Sequence, residues 1–191
     1  PQGELQRHWT VPLQMDGRTS DQISNAVSEG LEEIFRYAAA VNKPISMEDI
    51  EHPDTCLLYG NKKANRKISE FAHEKMTALA ESKGEKYHLS VREVNPAYTS
   101  QIGKIKYMRQ MGLSVHEAAA YVIGRRGMGL KDPIPKDMDH LIPEKKGAHQ
   151  WSQWGAVYGA LKNVPVNNFY RKINYREYES LAALKKGLLK V

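Results

Sequence analysis

Two neighbouring acidic residues lie at the end of a short alternating run in the first third of the chain. The run 45–50 alternates apolar and polar residues, which predicts a β-strand with Glu48 and Asp49 near its end. A second alternating run, 88–94, predicts another strand and is followed by the loop 95–101. Because sites in open α/β layers gather where strands end, these groups are expected to converge. Alternation turns Asp49 to the face opposite Glu48, so a structural or exposed role is expected for Asp49. For Glu48, a solvated acid at the end of a strand is the alternative to a functional role.

A group of cations provides a second chemistry, the neutralisation of phosphates. They stand at the predicted start of a helix, where cations oppose the helix dipole and an anionic partner is favoured: Lys62, Lys63, Arg66 and Lys67. A solvated helix start without any partner is the alternative. The formal charge of +6 and the pI near 9.3 also favour a polyanionic partner, since phosphate contacts release counterions.

Helices and strands that would position these residues follow one another along the chain. A capping-box spacing from Thr19 to Gln22 predicts a helix that ends before Pro44. The basic stretch enters a second amphipathic helix that closes at Gly84, and Ser114 is predicted to cap a third. With strands before and between them, these helices predict an α/β layer with mostly parallel strands.

The predicted organisation is one α/β domain with an appendage. Residues 5–13 are expected to form a strand before the first helix, and residues 1–130 to form the domain. Residues 132–135, which include two prolines, read as a linker. The remainder to residue 191 is predicted to be a helical extension, because Trp151, Trp154 and Tyr158 recur at helical spacing.

Composition excludes several classes of protein. Hydrophobic residues make up 41% and charged residues 26%, and no apolar stretch is long enough for a membrane helix, so a membrane partner is not expected. The single cysteine, Cys56, excludes an intramolecular disulfide and a cysteine zinc ribbon, which favours a reducing, cytoplasmic setting. Because the chain opens at Pro1 without an initiator methionine, we expect a fragment of a longer protein.

Three segments resemble the nuclease domain of the transposon-encoded TnpB (OrfB) family, and they occur along the chain in the same order as in that family. The segment 94–101 contains the Tyr-Thr-Ser-Gln loop of that family, the segment 45–50 resembles its glutamate-bearing strand, and the segment 116–123 resembles its final helix. The resemblance covers the chain to about residue 130. It implies a RuvC-type, RNase H-like mixed sheet with flanking helices, related to the type V CRISPR effectors.

The resemblance also implies a chemistry, metal-dependent phosphodiester cleavage with Mg²⁺ or Mn²⁺ held by acidic oxygens. Glu48 matches the family's glutamate, and His116 stands where the family carries its last aspartate. Histidine can ligate a metal through a neutral ring nitrogen. The family's first-strand aspartate would lie before Pro1. A missing first strand would leave sheet edges exposed, which predicts a homodimer.

Another departure from the family lies directly after the Tyr-Thr-Ser-Gln loop. The family carries Cys-x-x-Cys zinc ligands there, whereas this chain has none, so no zinc is expected. The ribbon's contact with nucleic acid would be remade by Lys104, Lys106 and Arg109. Thr99 and Ser100 would contact nucleic acid or support the site, the alternative being ordinary helix-capping roles. DNA and a guide RNA are the partners that the resemblance implies.

Two other functions stay open at this point. One keeps the fold and the nucleic-acid partner without catalysis, as a nuclease-dead DNA- or RNA-binding regulator. The other is a protein-interaction module that uses the tryptophan-containing extension. Salt dependence separates them, because phosphate contacts weaken steeply as salt rises.

Overall fold

The structure is a computed structural model in which most of the chain is described. For residues 62–74 it describes the backbone only. The described ranges are 3–13, 17–49, 62–143 and 150–190. They combine many helices with one small parallel sheet, the coarse α/β arrangement that the sequence predicts.

The chain divides into two compact units. The N-terminal unit consists of residues 9–97, and the C-terminal unit consists of residues 98–191 together with residues 1–8. The boundary predicted after Leu130 therefore falls inside the C-terminal unit. Asp132, in the segment predicted as a linker, is 3% exposed.

Two long helices, α1 (Ser20–Ala40) and α2 (Lys62–Tyr87), make up most of the N-terminal unit. The predicted capping box starts α1: the backbone N–H of Gln22 donates to Thr19 Oγ1, and the N–H of Thr19 donates to Gln22 Oε1 at 2.9 Å. This prediction is confirmed. The buried face of α1 comprises Val27, Gly30, Phe35 and Ala38.

Glu32 joins the two helices through charged hydrogen bonds. Its carboxylate accepts from Lys83 Nζ at 2.6 Å, from Lys86 Nζ at 2.8 Å and from the Tyr87 hydroxyl. The hydrogen bond from Lys83, followed by those from Lys86 and Tyr87, lowers the pKa of Glu32 to about 2. The carboxylate is therefore charged at neutral pH, and its bonds set α1 against the end of α2 that leads into the sheet.

The sheet pairs β1 (Ile45–Glu48) with β2 (Val91–Val94) in parallel, with Ile45 opposite Val91 and Glu48 opposite Val94. Both strands were predicted, and both are shorter than expected. A parallel pair needs a crossover connection, and the segment between the strands contains α2. In the described part of the chain the sheet has two strands, and the predicted homodimer stays a prediction.

Two predictions for the first half of the chain are wrong. Residues 5–13 form no strand; instead Val11 and Leu13 pack against Gly30 of α1, so the alternating apolar side chains are satisfied by a helix. Helix α2 continues past Gly84 to Tyr87. Gly84 serves close packing rather than helix termination, because a Cβ there would lie 2.8 Å from Val91 Cγ2.

The C-terminal unit opens with a run of helical turns. Helix α3 (Thr99–Ile102), a π-helical segment (Gly103–Tyr107) and α4 (Met108–Met111) follow one another, and α5 (Val115–Gly127) packs against α3 and the π segment. The predicted Ser114 cap of α5 is confirmed, since Ser114 Oγ accepts from the N–H of Glu117.

Short 3₁₀ turns and two further helices complete this unit. The turns are Lys136–Leu141, Val166–Phe169 and Tyr175–Glu177, and the helices are α6 (Gln150–Leu161) and α7 (Leu181–Leu189). The helical extension predicted from the tryptophan spacing is thus present as α6. The core draws on every part of the unit, including Ile102, Met108, Val122, Met138, Trp154, Leu161, Leu184 and Leu188.

Candidate nucleic-acid interface

The two residues expected to ligate a metal lie in different units. Glu48 is exposed at the carboxyl end of β1, and His116 is exposed in the first turn of α5. In the part of the chain that the structure describes, no group of three or more His, Cys, Asp or Glu side chains is placed to hold a metal ion. Magnesium or manganese binding therefore stays a proposal.

The predicted basic cluster at the start of α2 lies outside the described side chains. Its backbone forms the first turns of that helix, as expected. No side-chain arrangement is assigned to Lys62, Lys63, Arg66 and Lys67.

The Tyr-Thr-Ser-Gln segment is helical from Thr99 onward, so its prediction as a loop is wrong beyond Tyr98. Tyr98 adopts a left-handed conformation, with φ of 62°, and turns the chain from β2 into α3. Thr99 is buried and Ser100 is exposed, which makes Ser100 the accessible hydroxyl of the pair. Gln101 is 1% exposed, and within the described residues neither of its amide atoms has a hydrogen-bond partner.

Lys104 and Lys106, both predicted to bind nucleic acid, line one open cleft of the C-terminal unit. The cleft has a volume of about 450 Å³. Both lysines belong to the π segment, a rare geometry that is frequent at functional sites. Among the described residues, the lining has one carboxylate, Asp137, against six cations: Lys104, Lys106, Arg109, Lys136, Arg171 and Lys172. The lining thus carries a formal charge of +5.

Lys106 is held by a buried carboxylate behind the cleft. Its Nζ donates to Asp132 Oδ1 at 3.1 Å and to the carbonyl oxygen of Pro133 at 3.2 Å. The same carboxylate accepts from Arg125 Nε at 3.1 Å and from the Tyr107 hydroxyl. Two cations share one anion, so this network leaves one excess positive charge beside the cleft.

Other cations of the cleft are positioned by local contacts. Lys104 Nζ lies 5.3 Å from the centroid of the Phe169 ring, in cation–π geometry. Burial lowers the pKa of Lys104, because desolvation disfavours its charged form. Arg171 Nη2 donates to the carbonyl oxygen of Gly187 at 2.9 Å, and this hydrogen bond holds the guanidinium beside α7.

The remaining cations have no acidic partner within the described residues. No carboxylate there forms an ion pair with Lys104, Arg109, Lys136 or Lys172. Arg109, Lys136 and Lys172 are exposed, and Lys104 is partly buried. Cations without counter-charges are available for charge-assisted hydrogen bonds to a phosphate. The cleft is therefore complementary to a polyanion.

Three of the six described cations of this cleft were predicted from the sequence. Lys104, Lys106 and Arg109 were proposed from the place where the family carries its zinc ribbon, and the structure brings all three to one cleft. Lys136, Arg171 and Lys172 were missed. The Arg171-Lys172 pair is a visible basic signal in the sequence, but nothing local indicates that it faces residues more than sixty positions earlier.

Comparisons with known proteins add one partial match. The chain is similar to an uncharacterized protein of Saccharolobus solfataricus, with 31% identity over 111 residues that cover 58% of this chain and 29% of the relative. The chain therefore spans less than a third of that relative's length. No family model matches the chain, and no solved structure matches it. Among the described helices, none is long and apolar enough to cross a bilayer.

Proposed function

We propose that this protein binds nucleic acid and that the cleft of the C-terminal unit contacts the phosphate backbone. The observation that carries the proposal is that the cleft's described lining has six cations and one carboxylate, Asp137. Phosphate contacts by lysine and arginine dominate the affinity of most nucleic-acid-binding proteins because they release condensed counterions. Arg109 and Lys172 supply charges that no carboxylate of the described residues neutralises.

Within this proposal, the protein is a transposon-associated domain of RuvC-type, RNase H-like ancestry that acts on DNA with a guide RNA in the cytoplasm. Three features support it. Glu48 lies at the carboxyl end of a parallel strand, where α/β proteins gather their sites. The Tyr-Thr-Ser-Gln segment follows the partner strand β2 after Asn95, Pro96 and Ala97, and the segment that resembles the family's final helix is helical in α5.

Binding is tested by fluorescence anisotropy with a labelled oligonucleotide across a series of salt concentrations. The double variant Arg109→Ala/Lys172→Ala removes two proposed phosphate contacts. We expect weaker binding and a slope of log K against log salt that is shallower by about 1.5. The matched control is Arg18→Ala/Lys43→Ala, which removes the same two residue types from exposed positions of the N-terminal unit.

Two outcomes would contradict the proposal. Equal losses in the cleft variant and its control would assign binding to net charge rather than to the cleft. Weak binding that does not respond to salt would instead favour the protein-interaction alternative. Salt-sensitive binding without cleavage would identify the nuclease-dead regulator.

A further inference from the structure

A patch of aromatic rings lies on α6 and the start of α3, within the C-terminal unit. We call Tyr98, Trp151 and Tyr158 the aromatic face. Trp151 is 38% and Tyr158 39% exposed, which is high for rings of this size. Trp154, one turn along the same helix, is 1% exposed and donates from Nε1 to the carbonyl oxygen of Asp132 at 2.7 Å. The buried tryptophan thus anchors α6 with the other two rings outward.

The three rings form a preorganised surface. The Tyr98 ring lies 6.4 Å from the Trp151 ring, nearly perpendicular to it, and 5.8 Å from the Tyr158 ring. Gly155 allows Tyr98 to lie on α6, because a Cβ there would stand 3.1 Å from the tyrosine hydroxyl. Rings held in this way lose little conformational entropy when a ligand stacks on them.

Two cations lie over rings of the aromatic face. The Arg126 guanidinium lies 5.4 Å from the Trp151 ring centroid, and Lys162 Nζ lies 5.9 Å from that of Tyr158. A small cavity of about 140 Å³ opens beside them, lined by residues that include Tyr98, Arg126, Lys131 and Trp151. The cavity's carboxylate, Asp132, is already bonded to Lys106 and Arg125. Aromatic rings framed by cations match a nucleotide better than an apolar protein surface.

The aromatic face and the basic cleft are connected by one loop. Lys131 and Asp132 line the cavity beside the rings, while residues 133–137 line the cleft. The linings of the cavity and the cleft thus meet at consecutive residues of this loop. Duplex bases are stacked on each other and cannot reach such rings, whereas unpaired bases can.

We propose that the aromatic face stacks unpaired bases, so that the bound nucleic acid is single-stranded at this point. The inference rests on the proposed nucleic-acid function and specifies its substrate. Stacking on aromatic rings is tolerant of base identity, because every base has a π-face. One base of the bound strand would turn into the cavity beside Trp151.

The experiment compares an oligothymidylate with the same oligonucleotide carrying abasic positions, and with a duplex. Binding is measured by anisotropy at moderate and at high salt, where phosphate contacts are suppressed and stacking persists. For the wild-type protein we expect the abasic strand to bind about tenfold more weakly than the intact strand. In Trp151→Ala/Tyr158→Ala the two strands should bind equally.

Two variants keep the test independent of folding. Trp151→Phe retains an aromatic ring and should recover most of the preference for intact bases, and Leu189→Ala removes an exposed apolar side chain elsewhere in the unit. Leu189→Ala should behave as wild type.

The results separate the two proposals. Salt-sensitive binding with equal affinity for intact and abasic strands would overturn the stacking inference and leave the cleft proposal standing. A preference for intact single strands, with an affinity and a salt slope that Arg109→Ala/Lys172→Ala leaves unchanged, would support stacking and contradict the cleft. No binding to any oligonucleotide would overturn both, and pairing of two chains through these rings in sedimentation would explain the exposed aromatics instead.

Discussion

Asp132 is the residue on which the charged wall of the cleft depends. Its side chain is 3% exposed and accepts from two cations, Lys106 and Arg125, as well as from the Tyr107 hydroxyl. Burial and the hydrogen bond to Asp132 raise the pKa of Tyr107, so its hydroxyl stays a donor. A buried charge in such a network is costly to disturb, because its partners lose their acceptor while remaining desolvated.

The Asp132→Asn substitution tests this dependence at the scale of one residue. It preserves the side-chain volume but removes the charge that Lys106 and Arg125 share. We expect the free energy of unfolding to fall by about 3 kcal/mol, measured by urea denaturation. Asp139→Asn, at an exposed position in the same unit, is the control and should change stability little. Equal effects would mean that the network contributes no specific stability.

Helix packing in the C-terminal unit depends on a close approach between the π segment and α5. Gly103, the first residue of the π segment, is buried against Ala118. A Cβ at Gly103 would lie 2.9 Å from the backbone carbon and Cβ of Ala118. Because one neighbour is backbone, it cannot move aside, and the segment that carries Lys104 and Lys106 would shift.

Gly103→Ala and Gly124→Ala form a matched pair at the scale of elements. Both glycines are helical, but open space surrounds Gly124. We expect Gly103→Ala to lower the free energy of unfolding by about 2 kcal/mol through overpacking. Gly124→Ala should raise it by up to about 1 kcal/mol through helix propensity. Thermal denaturation measures both, and changes of the same sign would contradict the close approach.

The proposed cleavage depends on residues of both units, Glu48 in the N-terminal unit and His116 in the C-terminal unit. From the resemblance to TnpB proteins we expect metal-dependent cleavage of DNA in which Glu48 and His116 take part. Both side chains are exposed, so neither is needed for the described cores, and their variants should fold. Cleavage is therefore tested by comparing the protein with variants of these two residues.

We expect the full-length protein to cut single- or double-stranded DNA with Mg²⁺ or Mn²⁺, and Glu48→Ala and His116→Ala to abolish cutting. Gel analysis of labelled DNA measures it. Glu93→Ala, an exposed acid of β2, is the control and should cut as wild type does. Cutting that persists in Glu48→Ala would assign the chemistry to other residues, and no cutting would indicate a regulator that binds without cleaving.

The parts of the fold that could be predicted are those governed by neighbours in sequence. The Thr19 and Ser114 caps and the two short strands all follow from spacings of two to four residues. The same kind of pattern wrongly predicted a strand over residues 5–13. An alternating pattern shows that apolar side chains will be buried, but it does not determine whether a strand or a helix covers them.

The sequence by itself therefore determined the basic character of the chain, the order of its main helices and strands, and the candidacy of Glu48 and Lys104. Only the tertiary structure placed Arg171 and Lys172 beside Lys104 and turned Trp154 inward while leaving Trp151 exposed. It also buried Asp132, which lies in a segment resembling a linker, as an anion inside the C-terminal unit. The physical reason is that charges act through space, so their partners are decided by packing between segments far apart in the chain.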